Sequence, residues 1–291
     1  MNKKRKIVLA LSDSHDAGIC ITINNKIAFA INEERLSRKK NHQGFPYLSI
    51  EEGLIICKIK KSDIDVVAVA GKSRLTNNIT TNNNLKNEDG NINIIFIIIA
   101  FFSNFFLIKK FFKSNFFLKS YKLLQKFKMK DRETEIIKKL DKLNIFPSNI
   151  SFYDHHDCHI FSAYSCSGFK DALVISNDGM GDGLCSKIYN IKNNKSQCLS
   201  ENSFYNSLAM VYGYASYLCG FKKNHHAGKT TGLSAHGKSK NTYNILKKYI
   251  IWNNKTGVYE NKKTVFTSSL KNLTKDLSKF FKRDIAAGIQ K

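Results

Sequence analysis

The chain has 291 residues, 47 Lys+Arg against 23 Asp+Glu, a formal charge of +24 and a hydrophobic fraction of 42%. That apolar content over that length excludes a wholly disordered chain and provides for one large domain or two of ordinary size. Lys, Asn and Ile abound in every kind of segment, which reads as compositional bias, and no zinc-finger, RNA-recognition or helix-turn-helix signature accompanies the charge, so nucleic acid is not an expected partner.

The basic run Met1 to Lys6 precedes only five apolar residues, Ile7-Val8-Leu9-Ala10-Leu11, too few for a secretory signal, so a buried strand is predicted. Ile19 to Ile23 and Ile27 to Ile31 follow as strands, with Asn24-Asn25 as a two-residue hairpin turn. Leu48 to Lys60 has helical periodicity and Ile64 to Gly71 reads as another buried strand. Thr76 to Asp89 is an Asn-rich loop by composition. Residues 91 to 130 hold eight lysines and no acidic residue before the helix of Glu133 to Leu143, and positions 101, 105, 108, 112 and 116 are apolar at helical spacing. Such a segment could lie on a membrane surface or dock on the chain; its longest apolar run, nine residues, is too short to span a bilayer, and docking is the plainer reading.

Ile150 to Tyr153 then predicts a strand and His155 to Cys166 a helix. Residues 171 to 177, Leu184 to Ile191 and Gln197 to Leu199 predict a second strand series, and Phe204 to Cys219 a helix. The order βββαβα thus begins twice, which predicts an α/β fold of two similar lobes, the first from residues 1–75 and 131–168 and the second starting at 169–291. Asp284 to Lys291 stops within a helical pattern with no cap, which predicts a fragment with an incomplete second lobe. Seven cysteines, Cys20, Cys57, Cys158, Cys166, Cys185, Cys198 and Cys219, lack any C-x-x-C spacing and predict reduced thiols in a cytoplasmic protein.

Several segments carry possible chemistry. In Asp154-His155-His156-Asp157-Cys158-His159, His155 and His159 fall one turn apart on a helix, where their ring nitrogens can converge on a cation; a solvated surface pair is the plainer alternative. Asn177-Asp178-Gly179-Met180-Gly181-Asp182-Gly183 follows a buried strand, and its glycines permit close backbone approach to a phosphate while Asp178 can bind a cation; alternatively it is a hairpin turn. Ser12-Asp13-Ser14-His15-Asp16-Ala17-Gly18 occupies the matching place after the first strand, with His15 able to carry a proton or simply to sit in a turn. Glu33 to Lys40 is a charge run, usually a solvated face, in which Arg38 or Lys39 could neutralise a substrate oxygen. Ala227 to Gly237 imitates a P-loop but lacks its first glycine, since Lys223 stands there; it remains a candidate backbone-approach loop through Gly228, Lys229 and Gly232.

In order, these segments resemble the NodU/CmcH family of O-carbamoyltransferases, similar to the TsaD universal protein in having an actin-like (ASKHA) domain. The resemblance rests on His15-Asp16, the run Glu33 to Lys40 with Gly44-Phe45-Pro46, Asp154-His155-His156 with His159, Asp178-Gly179-Met180-Gly181, Ser207-Leu208 with Tyr212 and Gly220-Phe221, and Gly228-Lys229 with Gly232-Leu233. It implies a divalent metal, Fe2+ or Zn2+, on His155, His159 and Asp178. It places His15 and Lys39 at the carbamoyl and acceptor site, and Asp16, Gly179, Gly181, Gly228, Lys229 and Gly232 beside the nucleotide. The implied donor is carbamoyl phosphate, converted with ATP to carbamoyl-adenylate by a YrdC-like C-terminal half that this chain does not include; the acceptor is a small-molecule hydroxyl, and a homodimer is compatible with the family. Ala227 stands where relatives commonly have Glu, Asn41 where they often have His, and the Phe/Lys-rich insert is unlike a typical member. The alternative is a non-catalytic nucleotide-binding or membrane-associated module of the same fold; a sugar-kinase-like phosphotransferase is disfavoured by the paired histidines.

Overall fold

The computed structural model describes residues 5–72, 115–222, 226–254, 257–261 and 273–291. The Asn-rich loop at 76–89 and the apolar positions 101, 105, 108 and 112 lie outside them. The chain divides into two compact units, Met1–Asn77 with Lys122–Phe161, and Asn78–Tyr121 with Ser162–Lys291.

In the first unit, β1 (Ile7–Ser12), β2 (Gly18–Ile23) and β3 (Lys26–Asn32) form an antiparallel meander. Asn24 and Asn25 both adopt positive φ, +51° and +64°, the geometry a two-residue turn needs to match the strand twist. Beyond the short α1 (Glu34–Ser37) and α2 (Tyr47–Cys57), β4 (Val66–Ala70) pairs parallel to β1. Helix α3 (Asn115–Asp141) leads to β5 (Asn149–Tyr153), parallel to β4, so the sheet order is β3-β2-β1-β4-β5.

The alternation of β1 puts Ile7, Leu9 and Leu11 into a core shared with Ile19, Ile21, Val67 and Val69, covered by Ile50 and Leu54 of α2 and by Ile136 and Leu140 of α3. Each such side chain, fully buried, contributes about 1.5–3 kcal/mol. Helix α2 lies close on the sheet because Gly53 has no side chain: a Cβ there would sit 2.8 Å from Ile19 Cδ1 and 2.9 Å from Ile21 Cδ1.

Helix α4 (His155–Ser167) starts in the first unit. In the second, β6 (Ala172–Gly181), β7 (Leu184–Lys192) and β8 (Lys195–Ser203) form another antiparallel meander. It leads into α5 (Leu208–Leu218), α6 (Ala227–Ser234), α7 (Lys240–Leu246), the hairpin of β9 (Ile250–Asn253) with β10 (Val258–Asn261), and α8 (Lys282–Gln290). Val211, Tyr214 and Ala215 of α5 share a core with Leu246, Leu277, Ile285 and Ala286. The fold is thus mixed α/β, with the βββ opening of an actin-like domain in each unit.

Four local expectations are corrected. The helix of Glu133 to Leu143 extends back to Asn115, so the end of the basic stretch and the balanced helix are one element. The helix expected from Phe204 starts at Leu208, because Ser207 takes an extended conformation and its side chain accepts the Met210 N–H as an N-cap. The polar loop at 177–183 is largely strand, with a bulge between Asn177 and Gly181 and the turn itself confined to Asp182 and Gly183. The loop expected at Ala227 to Gly237 begins as helix α6.

Candidate functional site

Two loops at one end of the first sheet hold the residues nearest to proton chemistry. After β1 the chain buries Asp13, 1% exposed, and then exposes His15 and Asp16, the latter in left-handed backbone at φ +53°. His15 Nδ1 lies 3.1 Å from Asp16 Oδ2. This loop is hydrogen-bonded to the one that carries Lys39: Ala17 N–H donates to the His42 carbonyl at 3.0 Å and Gly44 N–H to the Ser14 carbonyl at 3.2 Å.

The acidic residues of the charge run hold that second loop. The Glu33 carboxylate, buried, accepts the Leu48 and Ser49 N–H groups at 3.0 and 2.8 Å, so it caps the first turn of α2 from a distance. Glu34 Oε2 accepts the Asn41 N–H at 2.8 Å, and Ser37 Oγ accepts the Lys39 N–H at 3.3 Å. The Lys39 side chain is exposed.

At the end of β5, Asp154 Oδ1 accepts the N–H groups of His156 at 3.0 Å and Asp157 at 3.2 Å, an N-cap that starts α4 at His155. Helical spacing then brings His155 Nε2 and His159 Nε2 to 3.1 Å from one another, with the rings edge-on at 4.6 Å between centroids. Two imidazole nitrogens sharing one transition-metal ion at about 2.0–2.1 Å each stand roughly 3.0–3.4 Å apart, so the pair fits a cation of that class. Asp178 belongs to the second unit, on the bulged end of β6. Its Oδ1 accepts the Gly179 N–H at 2.6 Å and its carbonyl accepts Ser207 Oγ at 3.1 Å.

The glycines chosen for phosphate contact differ in what their amides can do. The Gly179 amide is taken by the Asp178 carboxylate, and Gly181 closes the strand opposite Leu184. Gly232 lies inside α6, whereas Gly228 and the exposed Lys229 lie in its first turn. Only a first-turn N–H has no intrahelical acceptor, so Gly228 is the better donor of the two.

Three residues take structural roles that the sequence reading did not assign to them: Arg132, which pairs with Asp13 across 119 residues at 2.9 Å, Glu33 as a remote cap, and Asp154 as a local one. Asp154 was legible, since Asp directly before a helical pattern is an N-cap signal. Arg132 and Glu33 act through space and left only weak marks, a rare arginine in a lysine-rich chain and an acidic residue within a charge run.

Residues 7–291 match the family described as Carbamoyltransferase N-terminus. The chain belongs to that family. Its NodU/CmcH type is the one the motifs resemble. Among the curated relatives, the uncharacterized protein MJ1051 of Methanocaldococcus jannaschii is 27% identical over 230 residues, 79% of this chain and 33% of that protein. The nodulation protein NolNO of Sinorhizobium fredii is 27% identical over 168 residues, 58% of this chain and 20% of the relative. The chain matches about a third or less of the length of these relatives. Among the described residues no helix is long and apolar enough to cross a membrane, and none of the seven cysteines is joined in a disulfide.

Proposed function

We propose that this carbamoyltransferase N-terminal domain works in moving a carbamoyl group from carbamoyl-adenylate to a hydroxyl of a sugar, antibiotic or glycan precursor. The observation that carries the reading is the 3.1 Å approach of His155 Nε2 and His159 Nε2 within a chain that matches the family over residues 7–291. His155 and His159, with Asp178 as a third ligand, would hold a divalent cation, Fe2+ or Zn2+. Such an ion supplies Lewis-acid stabilisation of anionic oxygen when bound.

The chain's own residues would supply positioning and proton transfer. With Asp16 accepting the Nδ1 proton of His15, the lone pair stays on Nε2, which can take the proton of the acceptor hydroxyl as its oxygen bonds to the carbamoyl carbon and the adenylate phosphate leaves. Lys39 would orient the carbamoyl group. Gly228 and Lys229, in the first turn of α6, would face the adenylate phosphate. The carbamoyl-adenylate itself, made from carbamoyl phosphate and ATP, would come from a YrdC-like partner half, and a reducing cytoplasmic setting suits seven cysteines without a disulfide.

The test is the metal content of the purified chain beside that of the His155→Ala/His159→Ala double variant, both loaded with Zn2+ and desalted. About one equivalent in the first and loss of most of it in the second is expected. Equal content in both would remove the site.

A further inference from the structure

We infer that Arg132 is a positioning residue for the site, acting on the loop that carries His15 and on the strand end that leads to His155; the inference rests on the proposed roles of those two histidines. Asp13 lies two residues before His15 and is 1% exposed. A carboxylate so buried requires a partner, and Arg132 of α3 supplies it: Nη2 donates to Asp13 Oδ1 at 2.9 Å and to the Ala70 carbonyl at 3.3 Å. Its Nε donates to the Gly71 carbonyl at 3.2 Å, and the guanidinium lies 5.5 Å from the centre of the Phe152 ring.

Gly71 in turn donates its N–H to the Tyr153 carbonyl at 2.8 Å. Hydrogen bonds therefore run from Asp13 through Arg132 and Gly71 to Tyr153, from two residues before His15 to two before His155. The strands so joined, β1, β4 and β5, are mutually parallel, and all three end on the same side, where open α/β sheets bind their ligands. One planar fork on a helix thus fixes the places where both histidine-bearing segments leave the sheet. A lysine could meet Asp13 but could not also hold both carbonyls in the same geometry.

The test uses the full chain and three variants: Arg132→Lys, Arg132→Ala and the double Asp13→Ala/Arg132→Ala. The double removes both charges, so it remains folded if the single alanine variant does not. Hydrogen exchange should show the Ala17 and Gly44 amides, which close the loop pairing, exchanging about ten-fold faster in the double variant while the β2 and β4 amides keep their protection. Zn2+ affinity at the histidine pair should fall about ten-fold, with Arg132→Lys intermediate in both readouts. Unchanged loop exchange and Zn2+ affinity in a folded double variant, or a uniform rise throughout the sheet, would overturn the inference. Where the wild-type domain joined to its partner half transfers carbamoyl to an acceptor, the same variants should lower kcat and leave the acceptor KM unaltered; absence of wild-type transfer counts against the proposed function, while exchange and affinity still decide the role of Arg132.

Discussion

The two antiparallel meanders of the molecule start from the same pattern, a strand followed by an Asp-rich and Gly-rich polar stretch, and become different structures. In the first, β1 gains a parallel neighbour and the sheet is covered by α2 and α3, so Leu9 and Val67 are completely enclosed. In the second, the sheet has three strands among the described residues, and Leu173 and Ile175 of β6 remain 62% and 61% exposed. The polar stretches differ likewise. Asp13 is held by an arginine from a distant helix, whereas Asp178 bonds the N–H of its own neighbour at a strand bulge. A shared sequence pattern marks where a loop can carry chemistry, and the long-range partner decides what that loop becomes.

The sharpest way to break this comparison is to remove the partner. Arg132→Ala takes the guanidinium away from a fully buried carboxylate and should cost about 3–5 kcal/mol in urea unfolding. In the second meander the buried Lys187 meets Glu201 at only 3.6 Å with the carboxylate 29% exposed, and glutamine keeps an oxygen that can accept from the ammonium, so Glu201→Gln should cost about 1 kcal/mol or less. Equal losses would mean that the two meanders are stabilised alike. Glu33→Ala should fall between those two: it strips two N–H groups of α2 of a carboxylate acceptor and should cost about 2–3 kcal/mol, with exchange rising first at Leu48 and Ser49.

An effect as small as that of Glu201→Gln comes from the thiols on the other side of the comparison. Burial pushes the Cys185 thiol up to about 12 and that of Cys219 to about 11, both in the second unit, from an ordinary 9.0. The folded state holds these protons after the unfolded chain releases them, so the stability they contribute is complete below pH 9 and is lost as pH rises towards 12. For Cys185 the loss should reach roughly 1 kcal/mol by pH 10. Unfolding followed from pH 8 to pH 10 with probes in each unit should show the second unit weakening first, and a Cys185→Ala variant should flatten its slope; a steeper fall in the first unit would reverse the assignment.

Much of the local structure was legible without coordinates. Short apolar runs marked β1, β2 and β3, the Asn24-Asn25 turn marked the hairpin of β2 and β3, and the four-residue spacing of His155 and His159 implied the facing imidazoles. Those features depend on residues that are neighbours in the chain, and side-chain period follows directly from strand and helix geometry. The helix at Ala227 was misread as a loop because its glycines imitate a phosphate-binding turn, and the bulge in β6 because it exists only in register with β7.

What the sequence determined by itself is the α/β class, the family and the short-range geometry of each candidate segment. Only the tertiary structure decided which of those segments is held, and by what: Arg132 reaches Asp13 across 119 residues and Glu33 caps a helix that starts at Tyr47. The physical reason is that a buried charge must find its partner wherever packing brings one, and packing distance does not follow separation along the chain.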